Sequence, residues 1–479
     1  MVADPLWVTF MSEVHRSPFI GTWYPAEAVE LDRLLEERFR ISCCRLGPFL
    51  LRDGLGFVVP HAAPEYSGAV AASVYRSLRQ QRPERLVLLA FPHHGDLRGV
   101  AVPDVRAIST PLGSVTIDRF LSTRFPRVAE ALVCDHSFEI QLPFLQKAAP
   151  GARLCPLYVG YMNDGERRAL EALLAAEWRP GTVLIASSDF THYGRSFGYV
   201  PFPSDSRVAD RLRGLDFECM EAAGSLDASL FLKTLTETGA TVCGSAPISL
   251  MLGALRLICP EGVFQATLDY QTSGELTGDF RNSVSYAALG YYRSSSFELG
   301  FDDRAALLAS AEETLDRFRE TGRREPVQAR GGDALQSRRG VFVSLHRGDQ
   351  LLGCMGHCPG REPLAEAVPD LALSAALEDP RFSPGDALAS PFEVEISMLT
   401  PLRRIVHPED FQVGRHGGFL KFPPWSGLLL PQVATHHSWT ATDFLRALAE
   451  KCSLAPEAYR DPAARLYVFE AQVFSRAKP

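Results

Sequence analysis

Three apolar runs in the first 200 residues each end in a side chain able to bind a metal. Gly56-Phe57-Val58-Val59 leads into Pro60-His61, and Leu86-Val87-Leu88-Leu89-Ala90-Phe91 leads into Pro92-His93-His94. Val183-Leu184-Ile185-Ala186 leads into Ser187-Ser188-Asp189-Phe190-Thr191-His192. An imidazole where a strand gives way to a loop either coordinates a metal or hydrogen-bonds the backbone. Adjacent side chains point in different directions, so one of His93 and His94 can ligate while the other meets substrate or stands behind the ligand; a capping pair is the plainer alternative. Asp189 and His192, three apart, share a face if the segment turns helical, and Asp189 otherwise reads as the N-cap of a following helix.

Two further groups join them. His136 lies in Asp135-His136-Ser137-Phe138-Glu139, where it serves as a general acid or base, or belongs to a capping cluster begun by Asp135 or Ser137. Cys243 precedes Gly244-Ser245 and the helix-like run from Pro247 to Leu255. A helix N-terminus favours a thiolate, while an inert core thiol is the alternative. Taken together, His, His, Cys and an Asp/His pair after separate strands describe a mononuclear metal site. Such a set suits Fe(II), Zn(II) or Cu(I). No nucleophile elbow, P-loop or G-x-G-x-x-G accompanies it.

These residues need a scaffold that brings strand ends together. Strand-like and helix-like segments alternate through the first 292 residues, which predicts an α/β domain with a largely parallel sheet, and open α/β sheets bind ligands beyond the carboxyl ends of their strands. The strand-like run 283–292 is followed by a linker over about 293–303. A helix is expected over 304–322, capped by Asp302 or Asp303, with Ala305, Leu308, Ala311, Leu315 and Phe318 on one face. Residues 323–339 read as an exposed loop. The expected domains are 1–296 and 297–479, the second α+β. In it Cys354, flanked by Gly353 and Gly356, sits where backbone can approach closely and a thiol can be presented in a groove; a glycine-kinked buried strand with a small core cysteine is the plainer alternative.

At 479 residues the chain has room for two or three cores, and 46% hydrophobic with 22% charged residues is ordinary globular composition. Forty-nine Lys and Arg against 57 Asp and Glu leave a net charge of −8, which argues against bulk nucleic-acid binding. Ten dispersed cysteines without repeated C-x-x-C argue for a reducing cytoplasmic setting. The start lacks a basic leader, and Arg256 breaks the longest apolar stretch, so a soluble, unanchored chain with no membrane partner is expected.

Residues 15–292 resemble the Memo family. The matching motifs are Gly21-Thr22-Trp23-Tyr24-Pro25, Pro60-His61-Ala62 with Tyr66-Ser67-Gly68, Pro92-His93-His94, Thr110-Pro111-Leu112-Gly113, His136-Ser137 with Glu139 and Gln141-Leu142-Pro143, Ser187-Ser188-Asp189 with His192, Cys243-Gly244, and Ser283-Val284-Ser285-Tyr286. The resemblance implies a fold like that of the class III extradiol, LigB-type dioxygenases and a metal site of two histidines and a cysteine. Carried over, the ligands are His61, His93 and Cys243. His136, Asp189 and His192 line the same pocket as catalytic candidates, with His94, Tyr66 and Ser188 as substrate-pocket candidates. Residues 304–479 resemble the AMMECR family through Gly340-Val341-Phe342-Val343-Ser344-Leu345, Leu352-Gly353-Cys354-Met355-Gly356, Asp379-Pro380-Arg381-Phe382, Glu393 to Ser397 with Leu399-Thr400-Pro401, and Gly427 to Ala434.

The pairing resembles the AmmeMemoRadiSam system, which implies a radical S-adenosylmethionine enzyme as partner in a modification pathway. The expected function is then a non-haem Fe(II) oxidoreductase of dioxygenase type, with Cu or Zn as the other metals, acting on a small molecule or peptide. His192 or His136 moves protons and Asp189 orients His192. The alternatives are a metal- or peptide-binding adaptor without turnover, and a Zn-dependent hydrolase with Asp189 as base.

Overall fold

The computed structural model describes residues 12–46, 51–118, 120–121, 124–129, 134–389 and 391–476; the first eleven residues, on which the reading of the leader rests, lie outside them. The chain divides into two compact units, Met1–Arg293 and Ser294–Pro479.

The first unit contains β1 (Ser12–Arg16), β2 (Gly54–Val59), β3 (Arg85–Ala90), β4 (Val100–Pro103), β5 (Val105–Thr110), β6 (Gly113–Thr116), β7 (Arg127–Val128), β8 (Arg153–Val159), β9 (Thr182–Ser187), β10 (His192–Gly194), β11 (Val263–Thr272) and β12 (Asn282–Arg293). The main sheet has the order β10-β12-β2-β9-β3-β8-β4-β7, with β11 on β12, and a smaller sheet has the order β1-β5-β6. The centre of the main sheet is as expected, with β2, β9, β3 and β8 running parallel, and β4 pairs parallel with β7 at one edge. β12 is antiparallel to β2, β10 and β11, and β4 is antiparallel to β8, so the sheet is mixed rather than largely parallel. The reason is connection length. The short segment around the helix Ser273–Thr277 returns β11 directly to β12, whereas a parallel neighbour needs a longer crossover.

The central strands are near-continuous apolar runs because both faces are covered. Every residue of β2 and β9 is buried. The helices Gly68–Gln81 and Ser245–Ile258 both pack on this sheet. Phe57, Leu88, Ile185, Leu250 and Leu252 are completely buried in that core.

The second unit contains β13 (Gly340–Arg347), β14 (Gln350–His357), β15 (Glu393–Leu399), β16 (Arg403–Ile405), β17 (Gly417–Phe422), β18 (Trp425–Leu429), β19 (Arg465–Phe469) and β20 (Ala471–Ser475). They form two four-stranded antiparallel sheets, β14-β13-β15-β20 and β16-β19-β17-β18, with separate helices packed on them, an α+β arrangement. The first helix runs Phe301–Thr321 and is capped by Gly300 rather than Asp302 or Asp303, which fall in its first turn, where carboxylates suit the helix dipole. Its buried face is Leu307, Leu308, Ala311 and Leu315, leaving Ala305 exposed. The segment expected to be an exposed loop ends in the interior: Leu335 and Arg339 are buried, the guanidinium donating to the Phe297 carbonyl at 2.5 Å.

No helix of the described residues is long and apolar enough to cross a membrane. Cys43, Cys134, Cys155, Cys219, Cys243, Cys259, Cys354, Cys358 and Cys452, the cysteines whose side chains are described, are thiols outside any disulfide.

Candidate metal centre

Because β2, β9 and β3 are adjacent and parallel, their carboxyl ends open on one edge of the sheet. His61 follows β2, His93 follows β3, and Ser187–Asp189 close β9. Cys243 reaches the same edge from the turn before the helix Ser245–Ile258. A Cβ at Gly244 would collide with the Ser187 carbonyl and the Ser188 side chain, so glycine lets that turn lie against the end of β9.

One ligand atom each of His61, His93 and Cys243 lies within 4.8 Å of the other two. Cys243 Sγ is 3.2 Å from His61 Nε2, and the His61 and His93 rings stand edge to face with centroids 5.2 Å apart. Both imidazoles are held by Nδ1. His61 Nδ1 is 3.0 Å from Ser187 Oγ, which also accepts from Gln141 Nε2 at 3.0 Å. His93 Nδ1 is 2.8 Å from Asp135 Oδ1. Nε2 of each ring is thereby left available to a metal, as partners behind a ligating histidine would leave it.

Asp135 is the cap that the capping-cluster reading of its motif gives it. Its carboxylate caps the helix His136–Glu139 by accepting from the Ser137 N–H at 2.9 Å, and it also lies 3.3 Å from His136 Nδ1. Burial alone would raise this carboxyl, but hydrogen bonds from His136 and His93 hold it far below the usual carboxylate range. The His136 ring packs at a tilt against Trp23, with centroids 4.7 Å apart, and against His93, at 4.1 Å.

Burial, with the nearby His136 and His93, pushes the His61 imidazole well below its usual value and keeps it neutral, the form that ligates. Burial and the Asp189 carboxylate push the Cys243 thiol up to about 12. Burial thus outweighs the helix terminus expected to favour the thiolate. A bound cation reverses that balance, since a coordinating thiol is deprotonated outright.

Several expected roles change. The segment after Asp189 is not helical: His192 begins β10, which pairs antiparallel with Val284 and Ser283 of β12. Asp189 caps no helix and does not orient His192. Its Oδ1 accepts the N–H groups of His61 at 2.8 Å and Ala62 at 3.3 Å, fixing the turn after β2. His192 is oriented by Thr241, whose carbonyl lies 3.1 Å from Nδ1 and whose hydroxyl accepts the His192 N–H at 2.8 Å. Ser188 is completely buried, and its hydroxyl accepts the Gly244 N–H at 2.9 Å, so it anchors the cysteine turn. His94 is exposed, and Tyr66 is 44% exposed. A cavity of about 570 Å³ beside the cluster is lined by His93, His192 and Cys243 with Phe91, Tyr161 and Phe197; His94, Tyr66 and Ser188 are not part of its wall.

Sequence reasoning passed over Asp135, Ser187, Thr241 and Trp23 as supports of this centre. Asp135, Trp23 and Ser187 at least stand inside the quoted motifs, whereas nothing local marks Thr241.

In the second unit Cys354 lies on β14, and its N–H donates to Asp379 at 2.8 Å, a carboxylate that also accepts from Arg381. The close approach at Gly353 is that of the helix Leu364–Leu377, whose Ala375 carbonyl a Cβ would strike. Burial raises the Cys354 thiol.

An α/β unit with a His/His/Cys cluster at its parallel strand ends, followed by an α+β unit, defines the class of this protein. The Memo-like protein family model matches residues 16–290 and the AMMECR1 model residues 308–474; the chain belongs to the Memo-like family and carries an AMMECR1 domain after it. A MEMO1 family protein of Methanopyrus kandleri is 33% identical over 302 residues, covering 58% of this chain and all of that protein. The protein memo-1 homolog of Caenorhabditis elegans is 28% identical over 283 residues, 56% of this chain and 79% of that one. For the second unit, protein MK0488 of Methanopyrus kandleri is 34% identical over 195 residues, 38% of this chain and 92% of that one.

Proposed function

We propose that the first unit is a non-haem Fe(II) oxidoreductase of dioxygenase type, with His61, His93 and Cys243 as ligands. The observation that carries this reading is the convergence of three ligand atoms within 4.8 Å while Ser187 and Asp135 engage the Nδ1 atom of each histidine. Two imidazoles and one thiolate fit a borderline divalent metal and leave coordination positions to spare. Bound there, Fe(II) would supply positions for dioxygen and substrate and electrons for oxidation. The extradiol resemblance favours iron over Zn or Cu.

The residues around it have separable tasks. Asp135 fixes the His93 ring and, with Trp23, the His136 ring. His192, held through Nδ1 by Thr241 on the cavity wall, keeps Nε2 for accepting or returning a substrate proton. Phe91, Tyr161 and Phe197 give the cavity an aromatic section of wall, beside polar groups such as Asp164, Arg167 and Ser249. Its volume suits a small molecule or one side chain of a peptide. The two domains in one chain support a role beside a radical S-adenosylmethionine enzyme whose product is the substrate.

Oxygen consumption by the iron-loaded full chain, given the product of that partner enzyme, tests the proposal. Uptake that disappears in His93→Ala supports it. Iron-loaded protein that consumes no oxygen selects the adaptor, and zinc with hydrolytic turnover selects the hydrolase.

A further inference from the structure

His15, Cys134 and Glu139 form a second group of ligand atoms lying within 4.8 Å of one another. His15 lies on β1, Cys134 precedes the Asp135 cap, and Glu139 ends the helix His136–Glu139. Asp135 and His136 turn to His93 and the first centre, whereas Glu139 turns to His15: its Oε1 is 3.0 Å from His15 Nε2. Glu139 has no exposed surface, and its second oxygen, Oε2, has no hydrogen-bond partner. Buried carboxylate oxygens are ordinarily satisfied, so an orphan at full burial beside an imidazole and a thiol points to a ligand.

We infer that His15, Cys134 and Glu139 hold a second metal ion, of the Zn(II) class, separate from the His61/His93/Cys243 centre. The donor set decides the class. A thiolate with a carboxylate neutralises a divalent charge, and mixed S, N and O donors with a buried setting suit zinc better than the oxygen-seeking Mg(II) or Ca(II). Three protein ligands leave one position for water. The ion would tie β1 to the turn that presents Asp135 and His136, closing a loop of chain between residues 15 and 134. It would thereby position the supports of the first centre without touching its substrate. The inference does not depend on which metal the first centre binds.

The test uses the full chain carrying Cys243→Ser, which removes the thiolate of the first centre. Loaded with Co(II) alone, this protein is expected to show a near-ultraviolet sulfur-to-cobalt charge-transfer band that Zn(II) abolishes by displacement. Adding Cys134→Ser should eliminate the band, and so should Glu139→Gln or His15→Ala, either of which serves if the Cys134 variant does not fold. Absence of the band in Cys243→Ser overturns the inference. So does a band that survives Cys134→Ser, because it then arises from another thiol.

Discussion

Asp135 Oδ1 lies 2.8 Å from His93 Nδ1, and the same carboxylate caps the helix that carries His136. One side chain thus fixes the orientation of a proposed ligand and the start of the element holding a proposed acid or base. Asp135→Asn keeps a capping oxygen and loses the charge. It should leave the melting temperature nearly unchanged while weakening metal binding by about 10–100-fold, measured by chelator competition. Asp135→Ala should also cost about 1 kcal/mol of stability.

The glycine behind Cys243 gives a steric prediction. In Gly244→Ala the new methyl meets the Ser187 carbonyl and the Ser188 side chain. The turn must shift, at a cost of about 1–3 kcal/mol. Denaturant unfolding should register that loss, and metal affinity should fall with it, because Cys243 moves with the turn.

These two sites mark what the sequence makes legible. Apolar runs ending in His61, His93 and Asp189 announce parallel strand ends, since a strand buried on both faces must stop where a polar side chain emerges. The stretch from Asp189 to His192 reads as helical only because a spacing of three shares one face in a helix; pairing of His192 with Val284 across the sheet wins instead. Direction is equally non-local. Ser188 and His94 sit beside site residues in sequence, yet one is sealed behind Cys243 and the other is exposed. The Ser187 and Thr241 contacts join residues 126 and 49 positions apart, which no local pattern encodes.

The second unit carries a buried histidine with a pH consequence. His416 is 2% exposed, its Nδ1 accepts the Gln412 N–H at 3.0 Å, and burial with Arg403 and Arg415 pushes it down to about 3. Unfolded, the same imidazole takes a proton below about 6.5. Between these values the unfolded state binds more protons, so the stabilising contribution is full above about pH 6.5 and declines as pH falls toward 3. Chemical denaturation of the second unit should show a slope of up to about 1.4 kcal/mol per pH unit in that window. His416→Gln should flatten it.

Iron content of full-length protein purified without oxygen tests the central claim most directly. The account predicts about one iron per chain in the wild type and its loss in Cys243→Ala, with the fold intact by circular dichroism. Protein lacking stoichiometric iron, or iron retained unchanged in Cys243→Ala, would contradict the assignment of His61, His93 and Cys243 as an iron centre.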